Sequence, residues 1–160
     1  MIKSILLAGL ILPAFAAEPG WVAKSNDNAK LLLELTAKYS PEGASRLGVE
    51  GYDEKISDFS RDLYEQSNAD ARAVLAELKK RLAAETDARV KQDLEILIGS
   101  TEDNLSSSAL SRKYFFPYAD CAGMIFGVTR STLDPRIPRE KQKSLLVRLE
   151  KYAGIANGFR

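Results

Sequence analysis

Acidic side chains are the residues best supplied to do chemistry in this chain: it has 160 residues, 22 of them Asp or Glu, and no histidine. Glycoside hydrolysis needs two carboxyls about 5 to 10 Å apart across a cleft. Glu102 and Asp103 are adjacent in a helical pattern and point about 100° apart, which does not suit that geometry. Asp53 and Glu54 lie in a turn-rich stretch and are better placed, although a chain this acidic holds many such pairs. Tyr52 and Asp53 follow Gly51 there. They fit a loop that lines a cleft, or an elbow in which Asp53 caps a turn and Tyr52 packs beneath it. Tyr52 and Asp53 are therefore the candidate cleft-lining residues, and no catalytic residue is assigned. Tyr114, Phe115, Phe116 and Tyr118 form an aromatic cluster that suits a core better than a cleft wall.

Other chemistries are excluded by composition. Without histidine the chain has no Ser-His-Asp or Cys-His arrangement. The one cysteine, Cys121, stands in an apolar helical setting and reads as packing rather than as a reactive thiol. Zinc sites draw three or four ligands, usually including His or Cys, so no metal ligand is assigned and the chain is expected to carry no cofactor of its own. A net charge of +1, from 23 basic and 22 acidic residues, gives no support to nucleic-acid binding.

The N-terminus reads as an export signal. Lys3 is followed by the apolar run Ile5 to Leu12, then by Pro13 and by Ala14-Phe15-Ala16. Small residues at Ala14 and Ala16 suit a signal peptidase that cleaves before Ala17. Residues 1–16 are thus expected to be a signal peptide, with 17–160 as the mature chain. The run is about half the ~20 residues that span a bilayer, so no membrane span is expected after cleavage. No cysteine follows it to carry a lipid. The compartment expected is periplasmic or secreted.

The elements that must position Tyr52 and Asp53 are helical. Ser25 or Asn26 is placed to start a first helix reaching Tyr39, with Ala29, Leu32, Leu33 and Thr36 on its apolar face and Leu31 and Leu35 widening it. Pro41 begins a short helix that Gly48 ends. Gly48 to Asp58 is irregular. Ser60 is placed to cap a long helix from Arg61 to about Glu85, and a second long helix runs from Ala88 through Asn104 and on past Ser106-Ser107-Ser108 toward Phe115. A short turn joins the two, which predicts an antiparallel hairpin. A further helix is expected from Pro117 to Thr132, where Gly123 and Gly127, like Gly99 earlier, would let another backbone approach. The last helix starts at Pro138, shows Leu145, Leu149 and Tyr152 inward, and stops at Gly154. The fold class is all-α, an irregular array of about six helices with one long hairpin.

Four stretches carry a family resemblance: SNDNAKLLLELTAKYSPEGASRLGVEGYDEKISDFS, VKQDLEILIGS, YFFPYAD and LVRLEKYAG. In this order they resemble the N-terminal part of the bacterial "domain of unknown function 885" family, over essentially all of 17–160. The resemblance implies an exported, largely helical protein of several hundred residues, grouped with zincin-type zinc metallopeptidases. In such enzymes two histidines one helical turn apart hold zinc, and the glutamate between them activates a water. No such residue carries over to a chain without histidine. On this resemblance 17–160 is the helical N-terminal portion of a larger domain, truncated before the catalytic region. Zinc belongs to the full-length form, the missing C-terminal catalytic portion is the partner, and a peptide is the substrate of the whole. The alternative is an autonomous periplasmic helical binding or scaffold protein without enzymatic activity.

Overall fold

The computed structural model describes residues 19–116 and 118–156; among them there are six helices and no strand. The fold is all-α. Ala14, Ala16 and Ala17, with the rest of the expected signal segment, lie outside the described residues, as does the Asn157-Gly158 turn signal. Among the described residues no helix is long and apolar enough to cross a membrane.

Helix α1 spans Gly20–Tyr39 and starts nearly two turns earlier than expected. Ser25 caps nothing there; its hydroxyl donates to the Asp93 carboxylate at 2.5 Å. The inward face is only partly the one expected. Ala29, Leu33 and Thr36 are exposed, while Asn28 and Ala37 are buried and Leu31 and Leu32 half-buried. Asn28 can lie inside because its amide oxygen accepts from Arg81 Nη1 at 2.9 Å; a satisfied polar group loses little on burial.

Helix α2 is short, Pro41–Arg46, with proline at its start. It ends in a Schellman motif at Gly48, φ 83°. The amide of Gly48 donates to the Ser45 carbonyl and that of Val49 to the Ala44 carbonyl, which satisfies carbonyls the helix leaves open.

Helices α3, Leu63–Ala84, and α4, Ala88–Tyr114, form the expected hairpin. Asn68 Nδ2 donates to Ser108 Oγ at 3.1 Å, and Lys79 meets Glu102 at 2.6 Å. One helix rises in number as the other falls, so the pair is antiparallel. Ser60 does not cap α3. Its amide donates to the Asp58 carboxylate and its carbonyl accepts from Leu63, forming a turn that delays the helix by two residues. Asp87 does cap α4, accepting from the Arg89 amide at 3.0 Å. The Arg89 guanidinium, and then that bond, hold the Asp87 carboxyl down at about 2. The serine run 106–108 continues α4, with Ser108 spent on Asn68.

Leu78, Val90, Leu94 and Ile98 form the buried core, with Trp21, Leu31, Val74 and Leu97 among the side chains packed on it. Each such leucine contributes about 1.5 to 3 kcal/mol by leaving water. The core thus belongs to α1, α3 and α4.

Helices α5, Cys121–Thr132, and α6, Arg139–Tyr152, pack on each other outside that core. Helix α5 starts four residues later than expected because Asp120, not Pro117, begins it: Asp120 Oδ1 accepts from the Gly123 amide at 2.8 Å. The aromatic cluster is not core. Tyr114, Phe115, Phe116 and Tyr118 are all exposed, Phe116 by 90%. The chain turns extended at Phe115, which takes those rings off the α4 face. Cys121 is half-buried rather than part of the core. The expected close approach at Gly99 and Gly127 is also absent, since a Cβ at either would meet nothing within 4 Å.

Candidate functional site

The irregular segment from Gly48 to Asp58 is held between α2 and α6. Lys55 donates its amide to the Tyr52 carbonyl, closing a turn. Arg148 of α6 reaches under that turn. Its Nε donates to the Lys55 carbonyl at 3.1 Å and its Nη2 to the Tyr52 carbonyl at 2.9 Å. Lys151, one turn on, donates to the Glu54 carbonyl at 2.6 Å. The segment therefore finds its backbone partners in the side chains of α6, as a chain with no helix or strand of its own must. Arg148 is only 3% exposed.

A second set of contacts ties the same segment to α2. Glu42 Oε1 accepts from the Ser57 amide and from Tyr152 Oη, each at 2.8 Å, and Oε2 accepts from the Ser57 hydroxyl at 2.6 Å. Burial pushes the Glu42 carboxyl up, but these donors outweigh it and leave it below its ordinary value. Burial pushes the Tyr152 hydroxyl up, and the neighbouring Glu42 carboxylate raises it further. Glu42 is thus an ionised anchor at neutral pH, and Tyr152 a neutral donor.

Between this junction and α5 lies a cleft of about 380 Å³, within the range that holds small ligands. Arg46 and Glu42 line it from α2, and Asp53 and Ser57 from the elbow. Gly123, Gly127 and Val128 form the α5 wall, and Lys141 and Arg148 the α6 wall. Asp53 Oδ1 accepts from the Ser45 hydroxyl at 2.6 Å and lies 3.7 Å from Lys141 Nζ.

The two candidate residues are placed on different surfaces. Asp53 lines this cleft. Tyr52 lines a more open groove with Glu34, Lys38 and Lys151, and the Lys55 ammonium sits 3.9 Å from its ring centroid. Glu54 is exposed and gives its carbonyl to Lys151. Asp53 therefore has no second carboxylate of its own segment in the cleft, and the better-placed carboxylate there is Glu42. Arg148 and Glu42 carry no chemical motif in the sequence. Their one signal is position: Arg148 falls three residues after Leu145 and four before Tyr152, on the inward stripe of α6.

Among the described residues no three of His, Cys, Asp and Glu are grouped so as to hold a metal ion. With Glu42 filled by three donors and Asp53 accepting from Ser45 and facing Lys141, the cleft does not fit a zinc ion. No family model, curated protein or solved structure matches the chain.

Proposed function

We propose that this chain is the non-catalytic, helical N-terminal part of an exported bacterial protein. The complete protein would resemble a zinc-dependent peptidase of the domain of unknown function 885 family. The observation that carries the reading is the surface of the α4–α5 junction. Helix α5 buries none of its residues, and four aromatic side chains stand exposed within five positions, with Phe126 exposed on α5 and Leu133 exposed just past its end. Isolated exposed apolar residues are ordinary, but concentrations of this kind mark surfaces that meet another body. The rest of a larger protein would cover it.

The purified chain is expected to keep no zinc through dialysis and to cleave no peptide. One equivalent of retained zinc, or cleavage that a chelator stops, would overturn the non-catalytic reading. The second reading, an autonomous helical binding protein, is favoured by one feature, the cleft at the Glu42–Arg148 junction. It expects a sharp cooperative melt with no dye-accessible apolar surface.

A further inference from the structure

Independently of that reading, we propose that the cleft between α2, the elbow, α5 and α6 is a binding site for a small polyhydroxylated carboxylate of the sugar-acid type. Three observations point to this chemistry.

The first is where unspent charge lies. The two acids of the cleft are engaged: Glu42 accepts three hydrogen bonds, and Asp53 accepts one and faces Lys141. The cations are less so. Arg46 has no ion-pair partner among the described residues, and Lys141 meets Asp53 only at 3.7 Å. Arg148 commits Nε and Nη2 to backbone carbonyls, and its Nη1 has no protein acceptor among the described residues. A buried guanidinium with one arm unspent at a cleft wall suits an anion, and its flat fork suits a carboxylate.

The second is how the hydroxyls are used. Ser45, Ser57, Ser131 and Thr132 line the cleft, and each has given its proton to an acceptor within the chain. Each oxygen keeps acceptor capacity. A ligand that satisfies them must bring donors, as a polyol does.

The third is what makes the space. Gly127 lines the cleft, yet a Cβ there would meet nothing within 4 Å. The residue leaves room for no neighbouring helix. In a helix interior glycine is about 1 kcal/mol worse than alanine, and what it leaves open is this cleft.

The test uses the whole chain and gluconate as the probe, followed by calorimetry, with glucitol as its neutral analogue and inorganic phosphate as a bare anion. One saturable gluconate site is expected, with no heat from glucitol and weaker binding of phosphate. Gly127→Leu should fill the cleft, keep or raise the melting temperature, and weaken gluconate by about tenfold or more. Lys141→Met, which leaves the space intact, should weaken gluconate several-fold and leave glucitol silent. No saturable gluconate binding would overturn the proposal. So would equal binding of phosphate that persists in Gly127→Leu, because that anion would sit elsewhere. If Gly127→Leu does not fold, unchanged gluconate binding by Lys141→Met overturns it instead.

Discussion

Arg148 Nη2 lies 2.9 Å from the carbonyl oxygen of Tyr52, 96 residues earlier in the chain. This contact, with its companion to Lys55, explains why an irregular segment holds one shape. The segment borrows its hydrogen bonds from a helix near the far end of the sequence, and α6 in turn buries an arginine it could otherwise leave in water.

Replacing Arg148 tests that relationship. Arg148→Met keeps much of the stem and removes both donors, leaving two carbonyls unpaired. Urea denaturation should show a loss of about 2 to 4 kcal/mol, at the level of charged hydrogen bonds made in a buried setting. Arg148→Lys should recover less than half of the loss, since one ammonium cannot bridge the two carbonyls as a planar fork does. A full rescue by lysine would show that charge alone matters.

The Glu42–Tyr152 contact makes a prediction at both ends of the pH scale. Glu42 is held below its ordinary value of 4.5 in the fold. Its contribution is therefore present above pH 4.5 and lost as pH falls through the lower folded value. Tyr152 is raised above its ordinary value of 10.0. Its contribution is full below pH 10 and declines as pH rises toward the folded value. Urea melts across pH should show both flanks, and Tyr152→Phe should remove the alkaline one. An alkaline flank unchanged in Tyr152→Phe would assign it to another group.

The three-helix core should respond separately. Leu94 is fully buried on α4, and Leu94→Ala should destabilise by about 2 to 5 kcal/mol. The same substitution at Leu146, which is exposed, should change stability by no more than about 0.5 kcal/mol. Comparable losses at both positions would mean that α6 packs on more than α5 and the elbow.

The exposed rings should govern association rather than stability. Phe116→Ser combined with Phe126→Ser should leave the melting temperature within about 2 °C of the parent, because neither side chain is buried. Self-association seen by sedimentation should fall. A large drop in melting temperature would show that these rings are packed in solution.

The hairpin was legible from apolar spacing: Val90, Leu94, Ile98 and Thr101 recur at helical intervals and are all buried. The two glycine stops were legible too, since Gly48 and Gly154 both adopt positive φ. Polar residues are where spacing misleads. Asn28, Asn68 and Arg148 are buried with partners that lie far away in sequence, Arg81, Ser108 and the Tyr52 carbonyl. The aromatic run 114–118 fails for the opposite reason. Its composition suits a core, but the helix ends at Tyr114, and its rings stay exposed. Of the candidate pair, Asp53 reaches the cleft and Tyr52 does not. Adjacent residues in an extended turn diverge, and only the tertiary contacts decide which one faces inward.

The most direct measurement of the central claim is fluorescence of a hydrophobic dye with the purified chain at low temperature, followed through thermal unfolding and over a range of protein concentrations. If the α4–α5 surface is one that a larger protein covers, the folded chain binds the dye, self-associates as concentration rises, and loses both properties with the Phe116→Ser, Phe126→Ser variant. A folded chain that is monomeric, dye-silent and melts in one sharp transition would contradict the account.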